Sequence, residues 1–397
     1  MSIKGKAYIV GAYEHPLRDA PDVSTAQLHA QCAKGALADA GLTKDDIDGY
    51  FCAGDAPGFG AMSMIDYMGL RNVRHMDSTE TGGSSYLIHV GHAAAAIAAG
   101  KCKVALITLA GRPRQGQGGR PNFGGGGKPG ALSDGAPEAG FENIYGGSTH
   151  NTYGMCAMRH MYEYGTTSEQ LAWIKVAASH HAQWNEHAFL KNVVTVEEVV
   201  NSRLIADPLH LLDCCVVTDG GGALIVVSPE IAKSLNRPMV KVIGVGEAPK
   251  GPSGGLDLDL TTSGAAWSGQ IAFAEAGITP ADIKYASIYD SFTITVLMQL
   301  EDLGFCKKGE GGKFVADGNL ISGVGKLPFN TDGGGLCNNH PTNRGGITKV
   351  IEAVRQLRGE AHPKVQVANC DLAIAHGTGG SLGTRHCAAT VIMEREA

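Results

Sequence analysis

The chain contains one passage written twice. Ala36 to Tyr50 reads ALADAGLTKDDIDGY, and Ala272 to Ser287 reads AFAEAGITPADIKYAS. In both copies an alanine-rich helix ends at a glycine, Gly41 or Gly277, where the closing left-handed turn favours a residue without a Cβ. Thr43 and Thr279 then open a short second turn, and an apolar strand follows. A second pair lies downstream of each copy. One helix, His89 to Ala99, stops at Gly100 and feeds the strand Val104 to Leu109. Its counterpart, Ile347 to Leu357, stops at Gly359 and later feeds Leu372 to Ala375. Such a repeat folds as two similar units, each incomplete without the other. The near-continuous apolar strands VALITL, GALIVV and ATVIM belong to sheets covered by helices on both faces.

The expected architecture is therefore α/β, with two duplicated mixed-sheet halves stacked between helical layers. Residues 1–110 with 208–240 form the first half, and residues 241–397 form the second. Residues 111–207 are an insertion, serving as a lid or an oligomer contact, with a helical region from Met155 to Trp184 and a glycine run, Gly118 to Gly127.

Composition narrows the function. The 397 residues are 43% hydrophobic, enough for a large core. Only 18% are charged and the net charge is -6, which speaks against disorder and against a nucleic-acid-binding surface. The ten cysteines show no CxxC and no zinc-knuckle spacing, as expected of reduced thiols in a cytoplasmic protein with no metal site. The most apolar stretch, Gly91 to Ala99, is too short to cross a membrane, and no basic-then-apolar leader opens the chain, so no membrane insertion is expected. No GxGxxG heads the first unit, where the chain reads Val10-Gly-Ala-Tyr-Glu, so a nicotinamide-binding fold is poorly supported, and no Walker phosphate loop is present.

Four strings carry chemistry. Glu80 to Tyr86 places glycines and two serines at a helix start, where free backbone N–H groups suit an oxyanion; Gly83, Ser84 and Ser85 are the candidates. His340 stands before a proline in the Gly/Asn-rich loop Asn330 to Gly346, placed to donate a hydrogen bond or move a proton, with Asn339 beside it as a positioning residue. Tyr289 ends a strand next to Asp290 and is a candidate acid or base; equally, it is a strand aromatic with Asp290 capping the next helix. His376 begins HGTGG, in which Gly379 and Gly380 allow a ligand close to the backbone.

With these strings placed, the chain resembles the thiolase superfamily, in the branch of sterol-carrier-protein thiolases and bacterial lipid-transfer-protein homologues. The resemblance rests on the repeat and on DPLHLLDCCVVTDGGGALIV (Asp207 to Val226), YDSFT (Tyr289 to Thr293), QLEDLGFCKKGEGGKFV (Gln299 to Val315), LPFNTDGGGLCNNHP (Leu327 to Pro341) and HGTGG. It implies a thiolase-like fold and a substrate that is an acyl-CoA, with coenzyme A arriving as part of the substrate and no tightly bound cofactor. The family's nucleophilic cysteine falls on Gly83, and its late catalytic cysteine on about Gly377. His340 matches the family's Gly-His-Pro histidine, whereas Tyr289 replaces another histidine and Asp290 is retained. The pattern is similar to relatives that cleave a β-hydroxyacyl-CoA by a retro-aldol step. In that reading Tyr289, or else His376, is the base, and His340 with the backbone from Gly83 to Ser85 holds the enolate. Two alternatives stand beside it: thiolase-like acyl transfer, through Ser84 or Ser85 or directly, and a non-catalytic CoA-binding subunit. The resemblance also implies a homodimer and a small OB-fold/zinc-ribbon partner.

Overall fold

The computed structural model describes residues 2–115, 148–235, 237–250, 259–341, 344–383 and 385–396. The glycine run Gly118 to Gly127 lies outside them. In the first half, β1 (Tyr8–Glu14), α1 (Thr25–Ala40), β2 (Gly49–Phe51), α2 (Ala61–Met68), β3 (His75–Asp77), α3 (Ser85–Ala98) and β4 (Val104–Gly111) follow in order. Next come α4 (Thr149–Tyr164), α5 (Ser168–Ala182), α6 (Val196–Val200) and the small hairpin β5 (Leu204–Ala206) and β6 (Leu209–His210). β7 (Gly220–Val227) returns to the first half, and α7 (Pro229–Ser234) leads out of it. The second half holds β8 (Met239–Pro249), α8 (Ala265–Ala276), β9 (Tyr285–Ile288), α9 (Thr293–Asp302), α10 (Gly311–Val315), α11 (Gly334–Cys337), α12 (Gly346–Arg358), β10 (Leu372–Gly380) and β11 (His386–Glu396).

Nine strands form one sheet in the order β3-β2-β4-β7-β1-β8-β11-β10-β9. Read outward from its middle, β1-β7-β4-β2 and β8-β11-β10-β9 are the same arrangement twice. The halves join where β1 pairs β8 antiparallel, Tyr8 opposite Lys241 and Ile9 opposite Val240. Both halves pack on a shared central layer. Leu87, Val90 and Ala94 of α3 and Ile347, Val350 and Val354 of α12 lie in one core with Ile107 and Leu224 of the first half and Ala375 and Val391 of the second. Helix α1 covers the other face of the first half, and α8, α9, α4 and α5 cover the other face of the second. The layers are helix, sheet, helix, sheet, helix. Helices α4 and α5 of the insertion are thus core elements: Lys175 of α5 is buried and donates to the Leu336 carbonyl at 2.6 Å.

The repeat persists down to single atoms. After Gly41 and Gly277, both in the left-handed region, the N–H and hydroxyl of Thr43 donate to Asp46 at 2.8 Å, and those of Thr279 to Asp282 at the same distance. The acid reaches back to cap each turn. Strand-to-helix packing is duplicated as well. A Cβ on Gly11 of β1 would lie 2.4 Å from the Ala36 carbonyl, and one on Gly244 of β8 would lie 2.2 Å from the Ala272 carbonyl. Ala36 and Ala272 are the matching first residues of the two repeat copies.

Gly244→Val should therefore push α8 off its sheet, costing about 1–3 kcal/mol. Gly11→Val should do the same to α1. A urea titration should show a lower midpoint with an unchanged slope for both variants; an unshifted midpoint in either would contradict the close approach.

Candidate active site

The starts of α3 and α12 meet at the centre of the molecule. A Cβ on Gly346 would lie 1.9 Å from the Gly83 carbonyl oxygen, and one on Gly379 would lie 1.6 Å from the Thr81 carbonyl. Three chain segments can touch there only because side chains are missing. Glu80 ties the turn before α3 to its surroundings. Its carboxylate accepts the N–H of Gly82 at 2.7 Å and of Gly54 at 2.6 Å, and pairs with the buried Arg344 just before α12.

Tyr289 enters this junction from the end of β9, its N–H donating to the His376 carbonyl at 3.0 Å. Its ring lies where a side chain on residue 83 would stand: a Cβ there would be 2.5 Å from Cε2, from the hydroxyl and from the Thr378 carbonyl oxygen. The space beside residue 83 is therefore shared by a phenol from another segment and the backbone of β10. The Tyr289 hydroxyl lies 2.9 Å from His340 Nε2, with the rings nearly perpendicular. Both residues are buried, at 4% exposure. Burial pushes the phenol well above its usual value of 10.0, Tyr153 and Cys215 push the same way, and a hydrogen bond from the Gly345 backbone works against them.

His340 is fixed on three sides. Its N–H donates to Thr218 Oγ1 at 2.9 Å, and Nδ1 lies 3.4 Å from Cys215 Sγ. The Thr218 hydroxyl in turn donates to Asn339 Oδ1 at 2.7 Å, and Asn339 Nδ2 donates to Glu14 at 2.9 Å. Glu14 also accepts from Arg18 at 2.9 Å and is held below the ordinary carboxylate value by Arg18 and Arg355 against its own burial. Asp290 takes the N–H groups of Gly335 at 2.8 Å and Leu336 at 3.1 Å, and pairs with buried Lys349 at 2.6 Å. It caps α11, not the helix that follows it in sequence.

Tyr289, His340, Asn339, Asp290 and Gly83 are thus brought together. The two serines are bonded within the turn. Ser84 donates to the Thr81 carbonyl at 3.1 Å, and Ser85 Oγ accepts the Thr81 N–H at 2.9 Å, so both close the turn. His376 points the other way. Side chains alternate along β10, and its Nδ1 bonds Thr390 at 2.8 Å, which contacts Ser268 of α8 at 3.0 Å. Burial lowers the His376 imidazole from 6.5 to about 3, with His386 contributing. Gly380 turns with a φ of 78°. Cys215, Thr218 and Lys349 were not singled out by sequence reasoning. No spacing links 215 or 218 to 340; the bridge between Thr218 and Pro341 brings them together. Among the described residues no group of three or more His, Cys, Asp or Glu side chains could hold a metal ion, and no helix is long and apolar enough to cross a membrane.

With this geometry in place, comparison with known proteins is informative. Residues 250–395 match the family described as thiolase C-terminal domain-like. The chain is similar to the 17-hydroxy-3-oxo-4-pregnene-20-carboxyl-CoA lyase of Mycobacterium tuberculosis, 35% identical over 370 residues, which cover 90% of this chain and 92% of the lyase. It is also similar to the acetyl-CoA acetyltransferase of Methanothermobacter thermautotrophicus, 40% identical over 237 residues. That match covers 58% of this chain and only 60% of the acetyltransferase's length. Among solved structures, the Ltp2-ChsH2(DUF35) aldolase is similar at a TM-score of 0.85 and 31% identity, over 99% of this chain and 98% of that one.

Gly83→Ala should cost about 1–3 kcal/mol by crowding Tyr289. Combined with Tyr289→Ala, it should cost less than the sum of the two, a coupling of about 0.5–3 kcal/mol in a double-mutant cycle read by urea unfolding; strict additivity would deny the contact. The buried imidazoles give a second expectation. His376 and His386, both lowered to about 3 by burial, stay neutral in the fold, while the unfolded chain takes up protons below about 6.5. Stability should therefore fall as pH drops from about 6.5, and His376→Gln should flatten that slope of urea midpoint against pH.

Proposed function

The chain belongs to the thiolase superfamily, in its sterol-carrier, lipid-transfer and steroid-aldolase branch, and on that premise we propose that it cleaves a β-hydroxyacyl-CoA by a retro-aldol step without a covalent intermediate. The observation that carries this reading is the Tyr289 phenol seated where residue 83 would present a nucleophile. A thiol route has no residue at that place, and Ser84 and Ser85 are committed to Thr81.

Tyr289, as phenolate, accepts the proton of the substrate's β-hydroxyl. The electrons of the O–H bond become the new carbonyl, the Cα–Cβ bond breaks, and its electron pair passes into the thioester enolate. The enolate then takes a proton at Cα, which releases an acyl-CoA shortened by the aldehyde or ketone. His340, 2.9 Å behind the phenol, stabilises the phenolate rather than holding the enolate. The enolate oxygen is left to the backbone at the start of α3, where a 14-residue helix presents its positive end. His376 stays outside this chemistry, bonded to Thr390.

The same reading gives the chain a cytoplasmic setting, a second copy as a partner, and a small OB-fold/zinc-ribbon protein as another. Support for the last is that the similar solved aldolase carries two names, Ltp2 and ChsH2(DUF35).

The purified chain should be offered matched β-hydroxyacyl-CoA and β-ketoacyl-CoA panels, with products and intact protein mass read by mass spectrometry. Carbonyl release from the hydroxy panel alone, with unmodified protein, is expected. Tyr289→Phe should reduce it about 10²–10⁴-fold, while Ser84→Ala should change it little. The rate should climb with pH through the neutral and alkaline range, because burial holds the base well above 10.0 and only its deprotonated fraction acts. Cleavage of the keto panel that depends on free coenzyme A, or an acyl adduct, would replace this reading with acyl transfer. Silence on both panels would leave the CoA-binding subunit.

A further inference from the structure

We infer that Cys215 is a positioning residue: its thiol donates to His340 Nδ1, which keeps the imidazole proton on Nε2, facing the Tyr289 oxygen. The inference rests on the proposed acid–base role of Tyr289 and specifies the proton arrangement behind it.

The thiol is held in place from both sides. Cys215 lies in the strap between β6 and β7, and its N–H donates to the Ser291 carbonyl at 2.9 Å. The next N–H, of Val216, donates to the Gly335 carbonyl at 2.9 Å, and Cys214 bridges Phe292. The strap is thus bonded to the segments that carry Tyr289, Asp290 and the capped end of α11. Three residues further on, Thr218 receives the His340 N–H. Sulfur and imidazole therefore face each other at 3.4 Å from two backbones that are tied together.

The direction of the hydrogen bond follows from chemistry. Burial raises the thiol well above its usual 9.0, and the neighbouring Cys214 and Asp290 add to that, so the sulfur keeps its proton. A neutral thiol is a weak donor and a weaker acceptor, whereas an unprotonated imidazole nitrogen accepts strongly. S–H to Nδ1 is the better pairing, and a neutral imidazole that accepts at Nδ1 carries its proton on Nε2. The Tyr289 oxygen then receives two donors, His340 Nε2–H and the Gly345 N–H. Two donors favour the phenolate and offset part of the effect of burial. Among the described residues, Tyr153 of α4, Cys215 itself and Asp290, whose charge is paired with Lys349, act on that oxygen in the opposite direction.

The test reads the tautomer without substrate. The full chain is labelled with ¹⁵N-histidine, and the His340 signals are identified by their loss in His340→Gln. The wild type and Cys215→Ser should both show His340 protonated at Nε2, since a serine hydroxyl can also donate. Cys215→Ala should shift the population toward Nδ1–H. With a cleavable hydroxyacyl-CoA, Cys215→Ala should lower kcat about tenfold at unchanged KM and move the alkaline rise to higher pH, and Cys215→Ser should restore both. An Nδ1–H tautomer in the wild type, an unchanged tautomer in Cys215→Ala, or an acyl adduct on Cys215 would overturn the inference. If the tautomers behave as expected but no hydroxyacyl-CoA is cleaved, the retro-aldol reading fails and the role of Cys215 in ordering His340 stands.

Discussion

The bare contact between the starts of α3 and α12 is the constraint on which the rest of the molecule depends. Both helices lie in the central layer, between the two halves of the sheet, and each half packs on both of them. A side chain on Gly346 would collide with the Gly83 carbonyl, and one on Gly379 with that of Thr81. The centre is therefore closed to side chains from its own backbone, and functional groups reach it from outside the junction. Tyr289 comes from the end of β9, His340 from the loop before α12, and Cys215 from the strap before β7.

Charge at that centre and around it is paired, as Glu80 is with Arg344 at the junction itself. Glu14, Arg18, Asn338 and Asn339 form one buried network, and Asp290 with Lys349 forms another, each satisfied by ion pairs and backbone N–H groups. Buried charges of this kind contribute little net stability, but removing one partner strands the other. Their effect here is geometric. Asn339 fixes Thr218, Thr218 fixes the His340 backbone, and Asp290 fixes the start of α11.

Much of this was legible in the sequence, because the repeat is written in local chemistry. Gly41 and Gly277, Thr43 and Thr279, and the apolar strands obey rules that act over a few residues, and the structure keeps them atom for atom. His340 was legible as a candidate because it stands in a Gly/Asn-rich loop where packing alone does not call for it, and Tyr289 because it closes a strand beside a carboxylate, although a plain strand aromatic read equally well there. Their contact was not, since 51 residues separate them and neither string encodes the other. His376 looked equivalent to them by position, but the alternation of β10 turned it toward α8. Cys215 sat in a string that read as an ordinary buried thiol, and the bridge between Thr218 and Pro341, with the strap's bonds to Ser291 and Gly335, made it a neighbour of His340.

The overlap of Tyr289 with the space above Gly83 also bears on how such a site changes over generations. A side chain cannot enter position 83 while the phenol and the Thr378 carbonyl occupy its volume, and shrinking the phenol first leaves a void in a packed interior. Each single step back passes through a less stable protein, whereas the present pair fits. The glycine at 83 and the phenol at 289 are thus locked together by shape. Steric interlocking of this kind acts as a ratchet: a lineage that crosses it diversifies by altering what surrounds the phenol, and does not readily reverse.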